Sequence, residues 1–124
     1  MKSTIKIIAL LALTHLSLPV FAEATGEAQV RAAAEGTVTK IEEAIGLLEK
    51  SADKEAIATA LAEARQLQKE FRYERTERQR QRASGKLRQA SDEFEKGDKA
   101  AAEATLKASL ESYKEMLKIY KDAH

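Results

Sequence analysis

The sequence predicts an all-α protein: an up-down-up-down antiparallel four-helix bundle built from a duplicated αα-hairpin. Three observations carry that expectation. Apolar residues recur at steps of three and four in four successive segments, which lays each set along one helical stripe. Glycine is scarce and the only proline is Pro19, whereas the good helix formers Ala, Leu, Glu, Lys, Gln and Arg dominate, so a β-rich fold lacks its turn residues. The stretch "AIGLLEKSADKEAIATAL" also matches "ASDEFEKGDKAAAEATL", at an offset of 46 residues before the turn and 45 after it.

The chain opens with "MKSTIKIIALLALTHLSLPVFAEA". Lys2 and Lys6 precede an apolar run from Ile7 to Leu13, and Val20 and Ala22 are the small residues at positions −3 and −1 of a cleavage site. This reads as a secretory signal peptide over residues 1–22, with cleavage after Ala22 favoured and Ala24 second. The expected location is therefore periplasmic. The apolar run is too short for a membrane span, and no later stretch approaches about 20 consecutive apolar residues. Residues 23–124 form the expected single domain, with 19 basic and 20 acidic residues.

The first helix follows from Val30, Ala34, Val38, Ile41, Ile45 and Leu48, and the second from Ile57, Leu61, Ala64, Leu67 and Phe71. Ser51 and Ala52 occupy the turn between them, with Asp53 as N-cap. The third helix carries Ala83, Leu87, Ala90 and Phe94, and the fourth Ala102, Leu106, Leu110, Tyr113, Leu117 and Tyr120. Gly97 is placed to end the third helix in the left-handed conformation, and Asp98 to cap the fourth. Turns this short fold each pair back antiparallel, and one hairpin cannot bury its apolar stripe alone. "FEKGDKAAAEATLKASLESYKE" has the rhythm of a tetratricopeptide repeat, but the period here exceeds about 34 residues and occurs only twice. Met116 reads as core filler, and Tyr113 and Tyr120 as core-edge aromatics with wet hydroxyls.

Between Arg72 and Arg88 stand seven basic residues and two acidic ones. Arg72, Arg75, Arg78, Arg80 and Arg82 form a candidate basic partner surface for a phosphate, an acidic polysaccharide or lipid head groups. On a helix these arginines spread around the circumference instead of forming a stripe, which favours a solvated junction. Only Tyr73 is available to stack on a base, which disfavours nucleic acid. Thr76 and Gln79 have capping-box spacing, so the second-to-third turn is expected near Arg72–Thr76. Failure of that turn would fuse two helices and invite a swapped dimer, leaving monomer or helix-swapped dimer as the expected states.

Groups for enzymatic chemistry are sparse. The two histidines are His15, inside the signal segment, and His124, the last residue; cysteine is absent, as are Gly-rich phosphate loops and GxSxG turns. No catalytic, metal or cofactor-binding residue is therefore assigned, and the chain is expected to be no enzyme.

The order of "IEEAIGLLEK", "DKEAIATALAEARQLQKEF", "LRQASDEFEKGDK" and "AAAEATLKASLESYKEMLK" behind a signal peptide resembles the small periplasmic metal-binding protein family (SmbP-like). The resemblance implies an exported four-helix bundle of duplicated hairpins that binds copper, nickel or zinc through helix-borne histidines. Where that pattern tends to carry His, this chain has Leu47, Arg65, Gln68, Glu93 or Ser112. A weaker resemblance, to soluble periplasmic four-helix b-type cytochromes, implies haem, whose His ligand would fall near Lys114 or Met116. The leading expectation is an exported, non-enzymatic binding protein, an envelope stress or sequestration factor. The alternative is a metal- or haem-carrying periplasmic protein.

Overall fold

The computed structural model describes residues 26–124, so the signal segment and its cleavage site lie outside the described residues. Four helices are present: α1 (Gly26–Glu49), α2 (Lys54–Gln68), α3 (Glu77–Glu95) and α4 (Lys99–Ala123), with a 3-10 turn at Glu74–Thr76. Each packs on two neighbours in the cyclic order α1, α2, α3, α4, with α4 returning to α1. That closure makes a four-helix bundle and excludes an open tetratricopeptide stack. No described helix is long and apolar enough to cross a membrane.

The expected stripes meet in one core. Ile41, Ile57, Leu87, Leu106, Tyr113 and Met116 are essentially inaccessible, and each such large side chain contributes on the order of 1.5–3 kcal/mol by leaving water. Val30, Val38, Leu47 and Leu117 pack against that core from its margin. Buried alanines on every helix, among them Ala34, Ala44, Ala64, Ala90 and Ala102, keep the interfaces thin. Gly36 does the same at one point, since a Cβ there would stand 3.1 Å from Leu67 Cδ1.

Antiparallel register between α1 and α4 is written in charge. Glu35 pairs with Lys121 at 3.3 Å, Glu42 with Lys114 at 3.7 Å and Glu49 with Lys107 at 3.7 Å. The acids ascend α1 in steps of seven while the lysines descend α4 in steps of seven, the spacing that keeps residues at one helix–helix seam. Lys40 and Glu63, 3.1 Å apart, link α1 to α2. Exposed pairs of this kind are screened by water and stabilise little, so they specify register more than they stabilise.

The two hairpin turns share one backbone mechanism, and their difference accounts for the shift in offset. After α1, Ser51 N–H donates to Leu48 O and Ala52 N–H to Leu47 O; after α3, Gly97 N–H donates to Phe94 O and Asp98 N–H to Glu93 O. Both are Schellman closures around a left-handed residue, Ser51 (φ 53°) and Gly97 (φ 88°). In the second turn Asp98 both completes the closure and caps α4, accepting from Ala101 N–H at 3.1 Å. In the first turn those roles fall on two residues, Ala52 and Asp53, which is the extra residue. Asp53 holds the N-cap position, but its side chain accepts no capping hydrogen bond.

Three expectations are corrected. Phe71 is fully buried, yet it lies in the connection beyond the end of α2 and folds back against Tyr120 with ring centroids 6.1 Å apart. The Thr76–Gln79 capping box does not form: Thr76 precedes α3 with φ −110° and ψ 5°, outside the extended conformation a cap requires, and its hydroxyl donates to Tyr73 O. The turn expected near Arg72–Thr76 is present, within a connection that spans residues 69–76. The tyrosine hydroxyls are not wet either, because Tyr113 is wholly buried and donates to Gln68 Oε1, while Tyr120 donates to Glu27 O.

Candidate functional site

The five arginines of the candidate surface divide. Arg72, Arg75, Arg78 and Arg82 are exposed, while Arg80 is buried and so leaves the set. It points inward because residue 80 continues the core stripe of Ala83 and Leu87. Its guanidinium donates to Glu77 Oε1 at 3.2 Å and also meets Glu77 Oε2; on the other side Nη1 donates to Gln68 Oε1 at 3.0 Å. Arg80 holds the Glu77 carboxyl below the usual carboxylate range. Tyr113 donates to the same Gln68 oxygen at 3.1 Å, and burial pushes its hydroxyl well above the ordinary tyrosine range. The Gln68 amide nitrogen donates to Arg65 O, so every polar group of this cluster has a partner.

That network marks one end of the least tightly packed seam of the bundle, between α2 and α3. Among the described residues no ion pair joins α2 to α3, in contrast to the paired α1–α4 seam. The facing stripes explain the difference: α2 presents Lys54, Ala58, Ala62 and Arg65, with Lys69 just past its end, and α3 presents Ser84, Arg88, Ser91 and Glu95. Small side chains leave space, and at one end Arg65 and Lys69 face Arg88 across it.

Three hollows follow that seam. The first, about 290 Å³, is lined by Arg65, Lys69 and Arg88 with Gln66, Gln68 and Ser84. Among the described residues none of its three cations has a carboxylate oxygen within 4.0 Å; the same holds for exposed cations such as Arg75, Arg78 and Arg82, whereas Lys40, Lys107, Lys114 and Lys121 are paired. The second, about 280 Å³, shares Ala62 and Arg65 with the first and runs over Ala58, Leu61 and Phe94. At its wall Ser91 is only 9 % exposed, and its hydroxyl has no hydrogen-bond partner. The third, about 280 Å³, continues past Ile57 and Phe94 to Lys54 and Lys99. The arrangement can hold an anion beside an apolar trough.

Arg65 and Gln68 stand in this site as a cation on its wall and a buried anchor, two of the positions where the resemblance would place histidine. Sequence reasoning counted Arg88 in the basic segment without placing it on the candidate surface, and did not single out Lys69, Ser84 or Ser91. Their signal was the spacing of small and basic residues on the outward faces of α2 and α3. His124 packs at the end of α4 against the α2–α3 connection, its ring stacked on Tyr120 at 4.0 Å, 5.3 Å from the Tyr73 ring, and its Nε2 3.9 Å from Glu27. Among the described residues, no group of three or more His, Cys, Asp or Glu side chains is placed to hold a metal ion. Compared with protein-family models, with curated protein sequences and with solved structures, the chain matches none.

Proposed function

We propose that this chain is an exported, non-enzymatic binding protein, an envelope sequestration or stress factor, and that it holds an anionic ligand on its α2–α3 face. One observation carries the reading: Arg65, Lys69 and Arg88 converge on one hollow and lack carboxylate partners among the described residues. Neighbouring unpaired cations repel one another, and a bound anion relieves that repulsion. Arg65 and Lys69 also suit the C-terminal end of α2, where cations complement the helix dipole, but that role does not account for Arg88. The sequence of residues 1–22 supports export.

Calorimetric titration of the purified protein with pyrophosphate at low ionic strength tests this reading. Binding is expected in the unmodified chain and in the Arg75→Gln/Arg78→Gln/Arg82→Gln variant. It should be lost in Arg65→Gln/Lys69→Gln/Arg88→Gln. Equal binding by both variants would remove the α2–α3 face from consideration.

A further inference from the structure

The proposed anion site has a continuation that the anion alone does not explain. The cationic hollow opens through Ala62 and Arg65 into the apolar hollow over Leu61 and Phe94. The three cations Arg65, Lys69 and Arg88 gather at one end of this pair; the trough between the helices is walled by Ala58, Leu61, Ala62 and Phe94, with Lys54 and Glu95 at its far end. Ser91 adds a hydroxyl that is nine-tenths buried and unpartnered, beside the trough. A buried hydroxyl without a partner is unfavourable until an acceptor reaches it.

Resting on the anionic reading of the same face, we infer that the α2–α3 groove binds a single-chain anionic amphiphile. Its head lies among Arg65, Lys69 and Arg88, and its chain lies in the trough between Ala58, Leu61 and Phe94. The hollows are each near the lower end of small-ligand pocket sizes, which suits one narrow chain. An amphipathic helix about 10 Å across would need a broader groove. A second copy of the same face is disfavoured because it would bring cations against cations.

The test uses dodecyl phosphate, inorganic phosphate and dodecyl maltoside, each below its micelle concentration, titrated into the purified protein. Dodecyl phosphate is expected to bind one to one, at least tenfold tighter than either of the others. Ala58→Phe fills the apolar hollow from an exposed helix position, so the fold is retained, as an unchanged melting curve verifies. It should weaken dodecyl phosphate at least tenfold and leave inorganic phosphate unchanged, whereas Arg65→Gln/Arg88→Gln should weaken both anions. Dodecyl phosphate binding no tighter than inorganic phosphate would overturn the amphiphile and leave the anion site standing; no binding of either anion would overturn both. Tight binding indifferent to Ala58→Phe, or matched by dodecyl maltoside, would also overturn the inference. An acidic amphipathic peptide that bound this face more tightly than dodecyl phosphate would assign the groove to a protein partner instead.

Discussion

Arg80 Nη1 donates to Gln68 Oε1 at 3.0 Å, and Tyr113 donates to that same oxygen at 3.1 Å, so one amide oxygen ties α2, α3 and α4 together. Gln68 also lines the cationic hollow, which makes this network the rigid floor at one end of the proposed site.

Removing the buried guanidinium leaves Glu77 and Gln68 without their main partner. Arg80→Ala is expected to destabilise the fold by about 2 kcal/mol, the scale for losing hydrogen bonds to a charged group. Arg75→Ala and Arg78→Ala, at exposed positions of the same segment, should each change stability by no more than about 0.5 kcal/mol. Urea midpoints of the three variants check the contrast.

Tyr113→Phe deletes one buried hydrogen bond and should cost about 1 kcal/mol at neutral pH. The alkaline response follows from the raised folded-state pKa of Tyr113, caused first by burial. Its contribution is complete below the unfolded tyrosine pKa, near 10, and is lost as pH rises further, because the unfolded chain releases the proton first. Thermal midpoints measured from pH 8 upward should fall above pH 10, and the fall should be shallower in Tyr113→Phe.

Glu77 gives the opposite dependence. Its folded-state pKa is lowered by the hydrogen bonds from Arg80, so its contribution is present above the unfolded glutamate pKa and is lost as pH falls through the depressed folded value. Denaturant midpoints should drop on acidification below about pH 4.3, the ordinary glutamate pKa. Glu77→Gln should be less stable at neutral pH and respond less to acid.

The hairpin turns supply a stability pair. Ser51 adopts a left-handed φ that costs a non-glycine residue about 1–2 kcal/mol, so Ser51→Gly should stabilise by up to about 1 kcal/mol after the added unfolded-state entropy. Gly97→Ala should destabilise by about 1 kcal/mol through backbone strain alone, since a Cβ there meets open space. Melting temperatures of the two variants should move in opposite directions.

Most of the fold was legible because its determinants are periodic. Ile41, Leu61, Leu87 and Leu106 announced their helices by spacing, and the two turns announced themselves by repetition. The seven-residue ladders Glu35, Glu42, Glu49 and Lys107, Lys114, Lys121 were equally visible, but each gains meaning only when the other is placed beside it. Phe71, Arg80 and Tyr113 were misread for a common reason: their partners lie on other elements, so neither exposure nor hydrogen bonding follows from local pattern. The candidate site was the least legible part. Arg65 and Arg88 lie 23 residues apart, and only the fold sets them across one seam.

Amide chemical-shift mapping by nuclear magnetic resonance tests the central claim most directly, with dodecyl phosphate titrated into the isotope-labelled protein. Saturable shifts concentrated at Ala58, Ala62, Arg65, Ser84, Arg88 and Ser91 are predicted. Shifts confined to Arg72, Arg75, Arg78 and Arg82, or spread evenly over the surface, would contradict the assignment of the ligand face to α2 and α3.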